Sequence, residues 1–210
     1  MRFLLALPFL VCCASSAPAD RVTTFDSVRD RLANEPTRLL AEAAGSTGTL
    51  TASRYGMDGW QPGTAAFSIA NGDLVATADA AGQLGLIELG ATVDPIEIPQ
   101  DVFGKPARLQ DLRVRLASQA TAMTTWTDAD DATATALIDV DVSWSIALGD
   151  TVLPLATQHL QDLPAEVSIT GGGDHVDATL SLHASGELWS WAGLVKLTDL
   201  QLTLATATVD

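Results

Sequence analysis

The sequence predicts an α+β domain: an N-terminal helix, broken near Pro36, packed on a long, curved antiparallel sheet of about eight or nine strands. Three observations carry that expectation. Helical spacing of apolar residues is confined to the stretch before Gly45. From there on, apolar residues recur at every second position, the period of a half-buried strand. A phrase at 109–118, LQDLRVRLAS, returns at 197–206 as LTDLQLTLAT.

The chain opens MRFLLALPFLVCCASSAPAD. Arg2 precedes an apolar run from Phe3 to Val11, and small residues follow. That is the layout of an export signal, and it falls short of the ~20 apolar residues that span a bilayer. Residues 1–19 are therefore set apart, and 20–210 are read as a single β-rich domain with no linker inside it. Two cleavage readings compete. Leu10-Val11-Cys12-Cys13 resembles the lipobox of bacterial lipoproteins, with Leu three places before an acylated Cys13. It departs from that pattern in having Cys12 where a small residue is usual. The alternative is signal-peptidase cleavage after Ala19 at Ala17-Pro18-Ala19. The lipoprotein reading is preferred. Since Cys12 and Cys13 are adjacent and alone, the mature domain is expected to have no internal disulfide, thiol chemistry or cysteine-based zinc site.

TTFDSVRDRLANEPTRLLAEAAG, 23–45, supplies the helical spacing through Phe25, Val28, Leu32, Leu39, Leu40 and Ala43. Proline fits a first helical turn better than an interior, so a break near Asn34 and a second helix from Pro36 to Ala44 are expected. Period two then takes over. Ile138, Val140, Val142, Trp144, Ile146 and Leu148 share one face, opposite Asp139, Asp141, Ser143 and Ser145. Val176, Ala178, Leu180, Leu182 and Leu188 do the same in the segment HVDATLSLHASGEL. Turns are expected at Asn71-Gly72-Asp73, Gly149-Asp150 and Gly171–Asp174.

In the repeated phrase, Leu112, Val114 and Leu116 share a face, as do Leu200, Leu202 and Leu204. Leu109 and Leu197 each stand an odd three residues before the second Leu. A regular strand would turn them outward, so the backbone should bend or bulge at the intervening Asp. A third, weaker copy, LQDLPAEVSI, lies at 160–169, with Pro164 marking its bend.

A leading helix, long half-apolar strands and a returning L-x-D-L-x-[VL]-x-L phrase resemble the TULIP class of lipid-binding proteins and AsmA-type envelope domains. The resemblance implies an apolar channel between helix and sheet that takes an acyl chain. The implied lining is Leu112, Val114, Leu116, Trp144, Trp189, Trp191, Leu200 and Leu202. The competing reading is that these side chains fill a closed core, leaving a structural or protein-interaction lipoprotein with no ligand.

Charge narrows the partners. With 26 acidic and 11 basic side chains, and a net charge of −15, a nucleic-acid surface is not expected. Any membrane attachment falls to the lipid anchor, in the periplasm or at the outer membrane of a bacterial envelope. No catalytic set is expected either. His159, His175 and His183 are read as surface residues, and G-x-S-x-G and G-K-[ST] motifs are absent. Asp128, Asp130 and Asp131 form an oxygen-rich group that Ca²⁺ could use, but without the glycine and glutamate of an EF-hand. A solvated hairpin tip is preferred there, and no cofactor is expected.

Overall fold

The computed structural model describes residues 24–99, 102, 106–154, 156–185, 187–189 and 195–208. In chain order these form α1 (Val28–Asn34), β1 (Thr37–Ala41), β2 (Thr47–Gly56), β3 (Gly59–Ala78), β4 (Leu84–Val93), β5 (Ile96–Ile98) and β6 (Ala107–Leu116). There follow β7 (Ala120–Trp126), β8 (Ala132–Leu148), β9 (Thr151–Pro154), β10 (Gln158–Gly171), β11 (Val176–Ala184), β12 (Leu188–Trp189) and β13 (Val195–Thr208).

The thirteen strands make one sheet, more than the eight or nine expected, and strands share positions end to end. β1 and β2 both lie between β3 and β13. β6 and β7 both lie between β4 and β8. β9 extends β10 along β8, β12 extends β11 along β13, and β5 extends β4 along β6. Taken by position, the circuit runs β3, β1/β2, β13, β11/β12, β10/β9, β8, β6/β7, β4/β5. The antiparallel ladder of β3 on β4, Ile69–Ala78 against Leu84–Val93, then returns it to the start. The sheet is a ring of eight positions, and an even number is what an all-antiparallel ring requires.

Alternation places the core inside this ring. Ala134, Ala136, Ile138, Val140, Val142, Trp144 and Ile146 of β8 are buried, as are Val176, Ala178, Leu180 and Leu182 of β11. Each fully buried Val, Leu or Ile contributes about 1.5–3 kcal/mol, and together these faces form one continuous cluster.

All three copies of the repeated phrase bend at their aspartate: at 111 and 199 as expected, and in the third copy at 162 rather than at Pro164. Asp111, Asp162 and Asp199 have φ of 57°, 53° and 51°, and among the described residues no other non-glycine has positive φ. The register shifts at each: between Gln110 and Arg113, Leu160 and Leu163, and Thr198 and Gln201. One extra residue per bulge keeps the leucines on both sides of it pointing inward. Leu109 and Leu112 are buried, as are Leu197 and Leu200, while Leu160 and Leu163 also pack on the core. Aspartate suits the place because its short side chain tolerates the left-handed region. At Asp111 the carboxylate is also held by the Ser145 hydroxyl, 2.9 Å away.

Three expectations are corrected. No second helix follows Pro36: Thr37–Ala41 is β1, with Thr37 and Leu39 buried and Leu40 outward. β2 leaves the far ends of β3 and β13 unpaired, and the backbone of β1 satisfies them. That need outweighs local helix propensity. The turn expected at Asn71-Gly72-Asp73 is instead regularly paired strand inside the uninterrupted β3, just after a bulge between Ile69 and Asn71. There a side chain on Gly72 would meet Leu204 Cδ1 at 2.8 Å and the Gly90 carbonyl at 2.9 Å. Finally, α1 lies across one end of the ring rather than in a concave sheet face. Its amides reach the β7–β8 turn (Val28 N–H to Asp130 Oδ1, 2.9 Å; Arg29 N–H to Ala129 O, 3.0 Å). The Arg31 side chain donates to Asp174 O in the β10–β11 turn, 2.9 Å away, and Val28 and Leu32 are buried beneath the helix.

Asp199→Val should destabilise the protein by about 1–2 kcal/mol more than Asp199→Gly, because a β-branched residue strains a left-handed position that glycine accepts. Urea titration of the two variants measures the difference, and equal midpoints at equal slopes would refute the bulge assignment.

Candidate functional site

The expected apolar lining is brought together inside the ring. Leu112 and Val114 of β6, Trp144 of β8, and Leu200 and Leu202 of β13 are between 0 % and 3 % exposed. Leu116 is half-buried against the same cluster. A water-sized void beside these side chains would leave them accessible surface, and they have almost none. Trp189 contributes its backbone to β12, opposite Lys196. Trp191 and Cys13 lie outside the described residues. The Trp144 indole Nε1 is buried and has no hydrogen-bond partner. Trp60 follows Gly59 at the start of β3 and meets the Tyr55 ring edge-on at 5.4 Å.

The acidic group at 128–131 is used internally. Asp128 Oδ1 accepts from the amides of Asp130 and Asp131, both at 2.8 Å, and Asp130 Oδ1 accepts from the first amide of α1. This is turn and cap chemistry: carboxylates take up backbone donors that would otherwise be unpaired. Among the described residues no three His, Cys, Asp or Glu side chains converge as a metal site would require.

Two histidines have carboxylate neighbours. His159 Nδ1 lies 3.0 Å from Asp141 Oδ1 on the outer wall. His175 Nε2 lies 2.9 Å from Asp177 Oδ1, and its Nδ1 lies 3.2 Å from the Thr208 hydroxyl. The series Asp177–His175–Thr208 has the order of an acid–base relay. Its hydroxyl, however, already accepts from the Val176 amide at 3.0 Å and is largely buried. The arrangement fastens the end of β13 to the β10–β11 turn. Ser181, His183 and Glu166 border one outer groove without hydrogen bonds to one another.

The grooves of the surface lie on the outer wall, over outward residues such as Glu166, Ser181, Gln201 and Thr203, or Asn71, Gly90, Thr92 and Arg115. No protein-family model matches the chain, nor does any curated protein. Function therefore has to be argued from these surfaces and the filled interior. Sequence reading marked the interior leucines correctly as one inward set, but it had no means of seeing which outer charges would be left unpaired after folding.

Two outcomes follow from the acidic turn. Asp130→Ala removes the acceptor for the Val28 amide and should cost about 0.5–2 kcal/mol in thermal or urea unfolding. Millimolar Ca²⁺ should leave the melting temperature of the wild type unchanged, and an upward shift would show that these carboxylates prefer metal to backbone.

Proposed function

We propose that the chain is a non-catalytic domain exported to the bacterial cell envelope, tethered to a membrane through an acylated Cys13. It acts there as a structural or protein-interaction module with a closed core. The observation that carries this reading is the packing of the lining side chains to 0–3 % exposure, which leaves the outer wall as the surface open to recognition. That wall carries residues such as Thr133, Thr135, Asp139, Asp141 and Ser143 of β8, outside an apolar interior. A barrel embedded in lipid is patterned the other way, apolar outside and polar within. Among the described residues no helix is long and apolar enough to cross a membrane. The tether therefore supplies the attachment.

One observation favours a second reading, in which the ring takes an acyl chain or another apolar ligand. The unpartnered Trp144 N–H is a donor in the interior that a ligand oxygen could satisfy. Such a ligand needs the packed faces of β6, β8 and β13 to part.

Mass spectrometry of protein purified from its own membrane separates these readings. The expected result is a mature chain that begins at an acylated Cys13 and carries no further bound lipid under native conditions. An unmodified chain beginning at Asp20 overturns the tether. Stoichiometric lipid held by the folded domain overturns the closed core in favour of the second reading.

A further inference from the structure

In a chain with 26 acidic and 11 basic side chains, a cation is expected to find an anion. Most of the described ones have bonded neighbours. Arg38 pairs with Asp73 at 2.7 Å, Arg108 pairs with Glu97, and Lys196 pairs with Glu187. Arg29 and Arg31 bond backbone carbonyls beside α1, and Arg54 also has a bonded neighbour. Arg113 and Arg115 differ. Both are exposed on the outward face of β6, and among the described residues neither side chain has a hydrogen bond or ion pair.

The acids nearest to them, Asp141 and Asp73, are engaged by other partners. Arg113 stands opposite Thr92 on β4 and Ser143 on β8. Arg115 stands opposite Gly90 and Asp141. Asp141 is occupied by His159, and Asp73, beyond Gly90, is occupied by Arg38. Gly90 leaves the floor beside Arg115 bare, and a Cβ there would come 2.7 Å from Asp73 Oδ1. The result is a hollow of about 380 Å³ beside Arg115, bordered by Asn71, Gly90, Thr92 and the paired Arg38 and Asp73. A second, of about 280 Å³, is lined by both arginines, Asp141, Ser143 and Thr157.

We propose that Arg113 and Arg115 form a binding site on the outer wall for a single oxyanion, phosphate or carboxylate, borne by a hydroxyl-rich small molecule such as a sugar. Two residues apart on one strand face, their Cα atoms stand about 7 Å from one another, so both guanidinium forks can converge on one anionic group. Asn71, Thr92, Ser143 and Thr157 offer neutral polar groups for hydroxyls. Asp73 and Asp141 close the patch on its two flanks. A long polyanion, which needs a continuous basic track, is repelled there, and a compact ligand is not. The site is independent of what fills the interior of the ring.

Calorimetric titration of the mature chain at low salt tests it, with glucose 6-phosphate, glucuronate, inorganic phosphate and neutral glucose as probes. Saturable binding of at least one anionic sugar is expected, with glucose silent. Binding of phosphate but of neither anionic sugar would overturn the hydroxyl-rich carrier, whereas a sugar phosphate tighter than phosphate supports the hydroxyl contacts. Arg113→Ala/Arg115→Ala should weaken binding by about tenfold or more, with the melting curve unchanged because both side chains are exposed. Arg115→Gln provides the milder test on the same fold, and Arg108→Ala should bind as wild type. Absence of saturable binding for all three anions, equal binding of glucose, or undiminished binding by the arginine variants overturns the proposal.

Discussion

A strand as long as β10 or β13 can stay half-buried around a curved wall only if it bends without turning its apolar side outward. Every other feature of this fold depends on meeting that constraint. Inserting one residue into a strand would normally reverse the facing of everything beyond it. Here the extra residue is an aspartate in the left-handed region, at 111, 162 and 199, and it absorbs the reversal locally. The leucines before and after each bulge both stay inside, so the inner faces remain continuous while the strands curve. With that continuity the sheet can close β3 onto β4 and bury its apolar faces without an enclosing second layer.

The legible parts of the fold were those written in local periodicity. The inward faces of β8 and β11 follow from alternation alone, and the three bulges follow from the odd leucine spacing of the repeated phrase. What failed was decided by distant partners. Thr37–Ala41 has helix-forming residues, but two unpaired strand ends call for its backbone. Asn71-Gly72-Asp73 has turn composition, yet Gly72 serves a close approach between strands. Closure itself has no local signature, since a strand reads the same in an open sheet as in a ring.

The same division applies to the sites. Sequence grouped Leu112, Val114, Trp144, Leu200 and Leu202 on shared apolar faces, but channel and filled core have the same composition. Their near-complete burial favours the filled core. Asp128 and Asp130 read as part of a solvated acidic hairpin tip, whereas in the fold they take up the helix amide and the turn amides. Arg113 and Arg115 read as ordinary polar-face residues. Their distinction arises only after folding, when Asp141 and Asp73 have found His159 and Arg38.

The ring is the central claim, and backbone amide exchange tests it most directly. Amides in the ladder between Ile69–Ala78 and Leu84–Val93 join the first half of the chain to itself and complete the circuit. In a closed ring they should exchange only through global unfolding, with the same free energy as those between β8 and β10. Rapid exchange confined to β3 and β4, as at the free edges of an open sheet, would contradict closure.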